Sequence, residues 1–463
     1  MSDKTITEAA KAIAYQQALK YINKDPEENI PKLLNLLEKF DLGGQITNQV
    51  RTVRSAIQDK DNNWSKLLFS LWTDVDDGVR TRLFENFVIN ASMLGSPRQQ
   101  QLSRKEGCNI PWAILMDPTS ACNLKCQGCW ASEYGGGMNL TFEEMDSVIT
   151  QGKKMGTYFY LFSGGEPMVR RDDIIRLCEK HPDCAFLAFT NGTLFDEAFA
   201  DEMLRVKNFV PALSIEGFKE ATDNRRGEGT YDKVIATMEL LKRKKLPFGI
   251  SLCYTSANTE VIGSDAYIDH MIELGAKFAW FFTYMPVGVD AVPELMASPE
   301  QRAHMYHTIR SWRNTKPIFT LDFWNDGEYA GGCIAGGRCY LHINANGDME
   351  PCAFIHYADA NIRKHSLLEG YKKPLFMQYY NNQPFNDNML MPCPLLDNQD
   401  RLSDMVTASG AKSTDLKAPE DVNALCGKCH NAARRWAPVA EELWEKGGKH
   451  RTKAHVREKA KAR

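Results

Sequence analysis

The run WAILMDPT (112–119), followed at once by CNLKCQGCW (122–130), decides how this chain is read. The first five residues, WAILM, have the unbroken apolar character of a strand buried on both faces. The nine of the second stretch carry Cys122, Cys126 and Cys129. Three thiols so close together can converge on one metal centre if the loop wraps around it. A structural zinc takes four protein ligands. Three thiols without a fourth nearby suit a four-iron cluster whose last iron stays open to a small ligand. A structural zinc, or an electron-transfer cluster completed by a distant residue, is the alternative at this point.

Working outward, the same strand pattern returns in YFYLFSG (158–164), AFLAFTN (185–191), VPALSIEG (210–217), FGISLCYT (248–255) and AKFAWFFTYMP (276–286). Helical stretches such as TFEEMDSVITQGKKMG and TYDKVIATMELLKRKK lie between them. Six strands with helical crossovers predict a parallel sheet covered by helices. Polar or glycine-rich residues follow each run, where a β/α barrel places its chemistry. The fold expected is α/β: a partial (β/α)6 TIM-type barrel over 109–325. An N-terminal helical domain precedes it (1–108), a Cys-rich domain follows (326–440), and a basic, disordered tail closes the chain (441–463).

These pieces resemble the radical SAM superfamily, whose signature is a CxxxCxxC loop after the first strand of a partial barrel. The resemblance covers about 110–290. It implies a [4Fe-4S] cluster on Cys122, Cys126 and Cys129 that binds S-adenosylmethionine (SAM). Reductive cleavage of SAM then gives a 5′-deoxyadenosyl radical that takes hydrogen from a substrate. Gly164, Gly165, Glu166 and Pro167 look like the family's GGEP segment, which receives the SAM amino group. Glycines permit close backbone approach and a carboxylate complements an ammonium. Thr190 and Asn191 end the third strand and Ser214 the fourth, and similar segments hydrogen-bond SAM. Glu216 stands where many relatives carry Asp, so no catalytic proton role is assigned to it. Arg226, in preference to Arg225, resembles the cation that meets the SAM carboxylate. Tyr284, Met285 and Pro286 are placed to line the adenine.

Further cysteines come later: Cys333, Cys339, Cys352, Cys393, Cys426 and Cys429. Asn346-Gly347 reads as a hairpin turn that puts Cys339 and Cys352 on neighbouring arms. This region resembles the SPASM and twitch extensions, which hold auxiliary four-iron clusters. It implies at least one auxiliary [4Fe-4S] cluster, opened by Cys333, Cys339 and Cys352 and closed by a later cysteine. Six cysteines fall short of two complete sets, and His430 is a candidate for a second, incomplete one. The alternative is a zinc ribbon of Cys339, Cys352, Cys426 and Cys429. Cys108, Cys178, Cys184 and Cys253 fit no ligand spacing and read as buried or incidental thiols.

The bulk numbers fit this picture. Of 463 residues, 43% are hydrophobic and 25% charged, and the net charge of −3 gives no nucleic-acid footprint. No apolar run has the length of a membrane span and no signal peptide stands at the N-terminus, so the expected location is the cytoplasm. In that reducing compartment thirteen cysteines are not a disulfide framework. Apolar faces are expected at Ile6, Ala10, Ile13 and Ala14, at Leu33, Leu34 and Leu37, and on a helix over 78–94 at Val79, Leu83, Phe87, Ala91 and Leu94. The last either packs on the next domain or meets a partner, an acyl chain or a membrane. Together with the basic residues from Lys446 onward it allows peripheral membrane contact. The resemblance implies a reducing partner such as a ferredoxin or flavodoxin, and peptide or protein maturation as the leading function. Radical modification or carbon–carbon coupling of a lipid, acyl chain or other small metabolite is the second reading, and a non-catalytic electron carrier the third.

Overall fold

The computed structural model describes residues 6–40, 47–134 and 137–447. Seven short strands follow one another with helical crossovers: β1 (Ala113–Met116), β2 (Phe159–Phe162), β3 (Ala185–Thr190), β4 (Phe209–Ser214), β5 (Gly249–Tyr254), β6 (Phe278–Thr283) and β7 (Phe319–Asp322). All are parallel to their neighbours. The Cys-rich stretch adds β8 (Tyr340–Ile343), parallel to β1, and β9 (Met349–Glu350), antiparallel to β8. The sheet order is β7-β6-β5-β4-β3-β2-β1-β8-β9. Among the described residues neither end strand pairs with the other, so the barrel is open.

The six expected strands are all present, each with both ends within three residues of its run. The six-strand count is corrected by β7, whose four residues FTLD are too few for a period to show, and by β8, which joins the same sheet from beyond residue 326. The crossover helices carry local stop and start signals. Thr141 and Glu144 form a reciprocal cap before the helix Phe142–Met155, and Gly156 ends it with φ of 99°. Ser298 and Gln301 do the same ahead of Pro299–Thr315.

The N-terminal helices close the end of the barrel where the strands begin. Asn63 Nδ2 donates to the carbonyls of Arg313 (2.9 Å) and Lys316 (3.0 Å), just before β7. Lys277, just before β6, pairs with Asp74 at 2.5 Å. Asn86 Nδ2 donates to Pro182 O (3.0 Å) and Cys184 O (2.7 Å) ahead of β3, and Gln99 Nε2 to Gly156 O (2.7 Å) ahead of β2. The carboxyl ends of the strands are thereby left for chemistry.

The helix expected over 78–94 begins as an α-helix (Asp77–Leu83) and widens into a π-helix (Phe84–Gly95). Ser92 Oγ donates to Phe87 O, five residues back, at 2.9 Å. The wider turn rotates the pattern: Val79, Asn86, Ala91 and Gly95 are buried, while Phe87 is 40% exposed. Gly95 is required there, because a Cβ would stand 2.3 Å from Gly156 O. Nearer the N-terminus Asp25 caps Glu28 N, but Ile13 is 59% exposed, against the expected face; the side chains of Ile6, Ala10 and Leu37 lie outside the described residues. At the other end a continuous helix, Val422–Lys446, runs into the stretch expected to be a tail, and residues 448–463 lie outside the described part. Among the described residues no helix is long and apolar enough to cross a membrane.

Asn86→Ala should remove one donor from each of the carbonyls of Pro182 and Cys184, which also accept from Arg82 and Asn208. The expected loss is about 0.5–1.5 kcal/mol of unfolding free energy, read as a lowered thermal midpoint; an unchanged midpoint would show that this contact does not hold the helices to the barrel.

Candidate active site

A cavity of about 450 Å³ opens at the carboxyl ends of the strands. Cys122, Cys126 and Cys129 line one wall, and Gly164, Gly165, Glu166, Thr190, Asn191, Ser214, Arg225 and Arg226 line others, with Tyr284 and Met285. Pro167 stands behind the wall as the first residue of a short 3-10 turn, Pro167–Arg170.

The two glycines are there for backbone approach. Gly165 N donates to Thr119 O (3.0 Å) and Glu166 N to Ala121 O (2.8 Å), which seats the segment after β2 on the chain leading into the thiol loop. A Cβ on Gly165 would lie 2.2 Å from Ala121 O, and Gly164 has φ of 100°. Glu166 is buried, and its carboxylate accepts from Thr190 Oγ1 (2.6 Å), Asn191 N (2.7 Å) and Met168 N (2.9 Å). Burial raises its pKa, and those three donors oppose the rise. Asn191 Nδ2 in turn donates to Asn123 Oδ1 (2.8 Å) inside the thiol loop. One carboxylate therefore ties β2, β3 and the loop together.

Glu216, at the end of β4, has no exposed surface. It accepts from Arg225 Nη1 (2.6 Å) and Arg226 Nε (3.0 Å). Both guanidiniums are held beside the thiols: Arg226 Nη1 is 4.0 Å from Cys126 Sγ, and Arg225 O accepts from Gln127 N at 2.9 Å. Arg225 Nε is buried without a partner among the described residues. Burial pushes the Cys122 thiol up to about 11. It also raises Cys129, while Arg225 and Arg226 oppose the rise. Cys253, read from the sequence as incidental, lies on this cavity's wall, and its amide reaches Glu216 Oε2 at 3.3 Å. Cys108, Cys178 and Cys184 are buried away from the site.

The later cysteines divide between two places. Cys333, Cys352 and Cys393 line a second cavity of about 140 Å³, walled from the first by Trp280, Phe323, Ile334 and Phe354. The Cys429 thiol is close enough to Cys393 and Cys426 to be raised by them after burial. Cys339 lines the first cavity, and its carbonyl accepts from Trp112 N (2.8 Å) and Ala113 N (2.9 Å). His430 pairs with Asp400 at 2.9 Å. Among the described residues no three His, Cys, Asp or Glu side chains converge on the position of a single metal ion.

Beneath Trp130 lies a buried polar network that sequence reading missed. His342, on β8, sits between Asp117 (Nε2–Oδ1 2.9 Å) and Glu350 (Nδ1–Oε2 2.6 Å). Glu350 also accepts from Tyr134 Oη (2.7 Å) and Asn344 Nδ2 (2.9 Å). Tyr134 stacks on His356 at 4.3 Å, and His356 pairs with Asp415 at 2.6 Å. Trp130 meets the His342 ring edge-on at 5.7 Å. Burial works to lower the His342 pKa, but Asp117 and Glu350 outweigh it and hold it at about 10. The available signals were Asp117 at a strand end and the polar residues flanking Asn346-Gly347.

Residues 116–299 match the Radical SAM superfamily. The chain is 25% identical over 291 residues to the AdoMet-dependent heme synthase of Methanosarcina barkeri, covering 56% of this chain and 82% of that one. It is 25% identical over 316 residues to the PqqA peptide cyclase of Granulibacter bethesdensis, covering 63% and 80%. Among solved structures, SuiB of Streptococcus suis bound to S-adenosylmethionine shares the fold at a TM-score of 0.53 and 18% identity, over 64% of this chain and 75% of that one. The radical SAM match over residues 116–299 marks the chain as an enzyme.

The His342 charge sets the sign of one pH effect. Its pKa is raised on folding from about 6.5, so its stabilising contribution is complete below that value and is lost as pH rises towards about 10. The thermal midpoint should fall across that window, and His342→Gln should flatten the fall. A His342→Gln profile parallel to the wild type would refute the assignment.

Proposed function

We propose that this enzyme binds a [4Fe-4S] cluster through Cys122, Cys126 and Cys129, binds SAM beside it, and removes hydrogen from a substrate carbon. The observation that carries the proposal is the first cavity itself, where the three thiols face a carboxylate, two guanidiniums and the ends of β2, β3 and β4. The donor set suits the group. Three thiols and two buried cations favour an anionic cluster, and the glycine-lined wall after β2 admits close approach. When bound, the cluster and SAM supply one-electron cleavage of a carbon–sulfur bond and a carbon radical strong enough to take hydrogen from an unactivated position.

The protein's own residues position and exclude. Arg226 is held by Glu216 beside the thiol loop, where it complements the SAM carboxylate. Glu166, Thr190, Asn191 and Ser214 offer oxygen and nitrogen atoms to the amino group and ribose. Glu216 acts through the arginines and is a positioning residue. Tyr284 seals the loop, since even a Cβ on Gly128 would come within 2.6 Å of its hydroxyl. An auxiliary [4Fe-4S] cluster fits the second cavity, held by Cys333, Cys352 and Cys393 and closed by Cys429. Cys339 and Cys426 remain candidates for its shell. The electron comes from a one-electron donor protein of the ferredoxin or flavodoxin class. The division at 109 and 326 is retained as functional, although one sheet crosses the second boundary.

For the substrate, maturation of a peptide or protein is supported by similarity to the PqqA peptide cyclase. A second reading, an acyl chain or other apolar metabolite, is favoured by the apolar depth of the cavity.

Anaerobically reconstituted protein with dithionite and SAM is expected to release 5′-deoxyadenosine, and Cys126→Ala to abolish release. Turnover that persists in Cys126→Ala would overturn the assignment. Replacing all three loop cysteines by Ala should leave residual iron and sulfide on the group after residue 330; a zinc-containing, iron-free product would defeat the auxiliary cluster.

A further inference from the structure

The first cavity does not end at the level of the thiols. Its wall continues down the inside of the barrel through Leu115, Leu161, Trp280, Phe282, Leu321 and Phe323 to Ala113, Trp112 and Phe159, where β1 and β2 begin. From Met116 to Trp112 is four strand residues, a depth of about 13 Å. A barrel interior is ordinarily filled by layers of side chains; here the layers leave a channel. The charged residues lining the cavity are Glu166, Arg225 and Arg226, and all three stand at the rim. The Tyr340 hydroxyl, lower down, is engaged with Cys352 Sγ at 2.7 Å.

The floor is thin. Phe87 of the π-helix packs edge-on against Trp112 (5.3 Å) and Phe159 (5.1 Å), the two residues that close the channel. On its other side Phe87 meets solvent, next to Phe84 and Met93, which are 38% and 43% exposed. An apolar path therefore runs from the radical site to the outer face of the N-terminal helices, interrupted by one aromatic layer.

We propose that this channel takes a long unbranched acyl chain, so that the enzyme acts on a methylene or terminal carbon of a fatty acyl group held below the SAM site. The inference rests on the second substrate reading above. A peptide backbone drawn into the channel would surrender the water on every amide and meet no charged partner below the rim. Hydrocarbon loses nothing there, and each methylene that enters should tighten binding about fourfold. Arg225, whose Nε has no partner among the described residues, stands at the rim and leaves the charged end of such a molecule at the mouth.

Equilibrium dialysis of the reconstituted enzyme against carbon-14-labelled butyrate, octanoate and palmitate tests the channel without turnover. Affinity should climb with chain length, and Leu161→Trp, which narrows the channel, should weaken palmitate by tenfold or more. Phe87→Ala, in the partly exposed aromatic layer beneath the channel, should extend the climb to longer chains and guards against a Leu161→Trp variant that fails to fold. Equal affinity for butyrate and palmitate overturns the proposal. Turnover with perdeuterated palmitate, or with vesicles of perdeuterated dipalmitoylphosphatidylglycerol, should place deuterium in 5′-deoxyadenosine. Label from one arm or the other identifies free or bilayer chains as the source, and label from neither overturns the proposal. Unlabelled 5′-deoxyadenosine from the same samples reports on SAM cleavage separately, so failure of the channel and failure of the radical chemistry are told apart.

Discussion

Strand β1 is gripped from both sides, and the rest of the molecule is arranged around that grip. Its register with β2 sets the thiol loop against the glycine pair, because Gly165 and Glu166 bond to the backbone that leaves β1. Its register with β8 places Asp117 opposite the His342 imidazole. A strand paired on one side could slide or swing with its loop. With both edges engaged, register is fixed by two ladders and by a buried ion pair that tolerates little displacement. The Cys-rich stretch is for this reason a continuation of the barrel rather than an appendage. It reaches Trp130, one residue past Cys129, through His342 and His356.

What could be read from the sequence divides along a physical line. The six barrel strands were legible because each is a buried run bounded by polar turn residues. The thiol loop was legible because three cysteines within eight residues of one another, just after a strand, are spaced to share one metal centre. Features fixed by contacts between distant segments were not legible. Nothing near Glu216 announces that Arg225 and Arg226 both fold back onto it, nine and ten residues later. Nothing in GGEP says that Glu166 spends its oxygens on Thr190 and Asn191. The later cysteines show the same limit: spacing placed them on a hairpin but could not tell which side each would face. Cys352 turned to the second cavity and Cys339 to the first.

The 78–94 helix shows a different failure. Its apolar residues were counted at 3.6 residues per turn, and the structure widens that turn. Asn86 is the reason the widening is tolerated, since its side chain satisfies two carbonyls that end the loop before β3. The short contact between Gly95 and Gly156 fixes the far end. Between those anchors the extra residue per turn moves Phe87 from the core face to a boundary position, touching Trp112 and Phe159 on one side and water on the other. π-Segments gather at functional sites for this reason: they move a side chain without moving the helix that carries it.

Charge and hydrocarbon are separated along the cavity axis, and the separation bears on both halves. The rim carries one buried carboxylate shared by two guanidiniums, a net positive unit beside three thiols. In water such a unit would do little for thiolates a few ångströms away, but above an apolar shaft the field is screened less than it would be in water. In the proposed reading the same shaft would keep water from a radical formed at the rim, where a stray hydrogen donor would waste it. Filling the barrel with ordinary core side chains would preserve the first effect and leave the second to the protein alone. Leaving the shaft open transfers that task to whatever apolar group enters it, so that exclusion of water becomes conditional on substrate being in place.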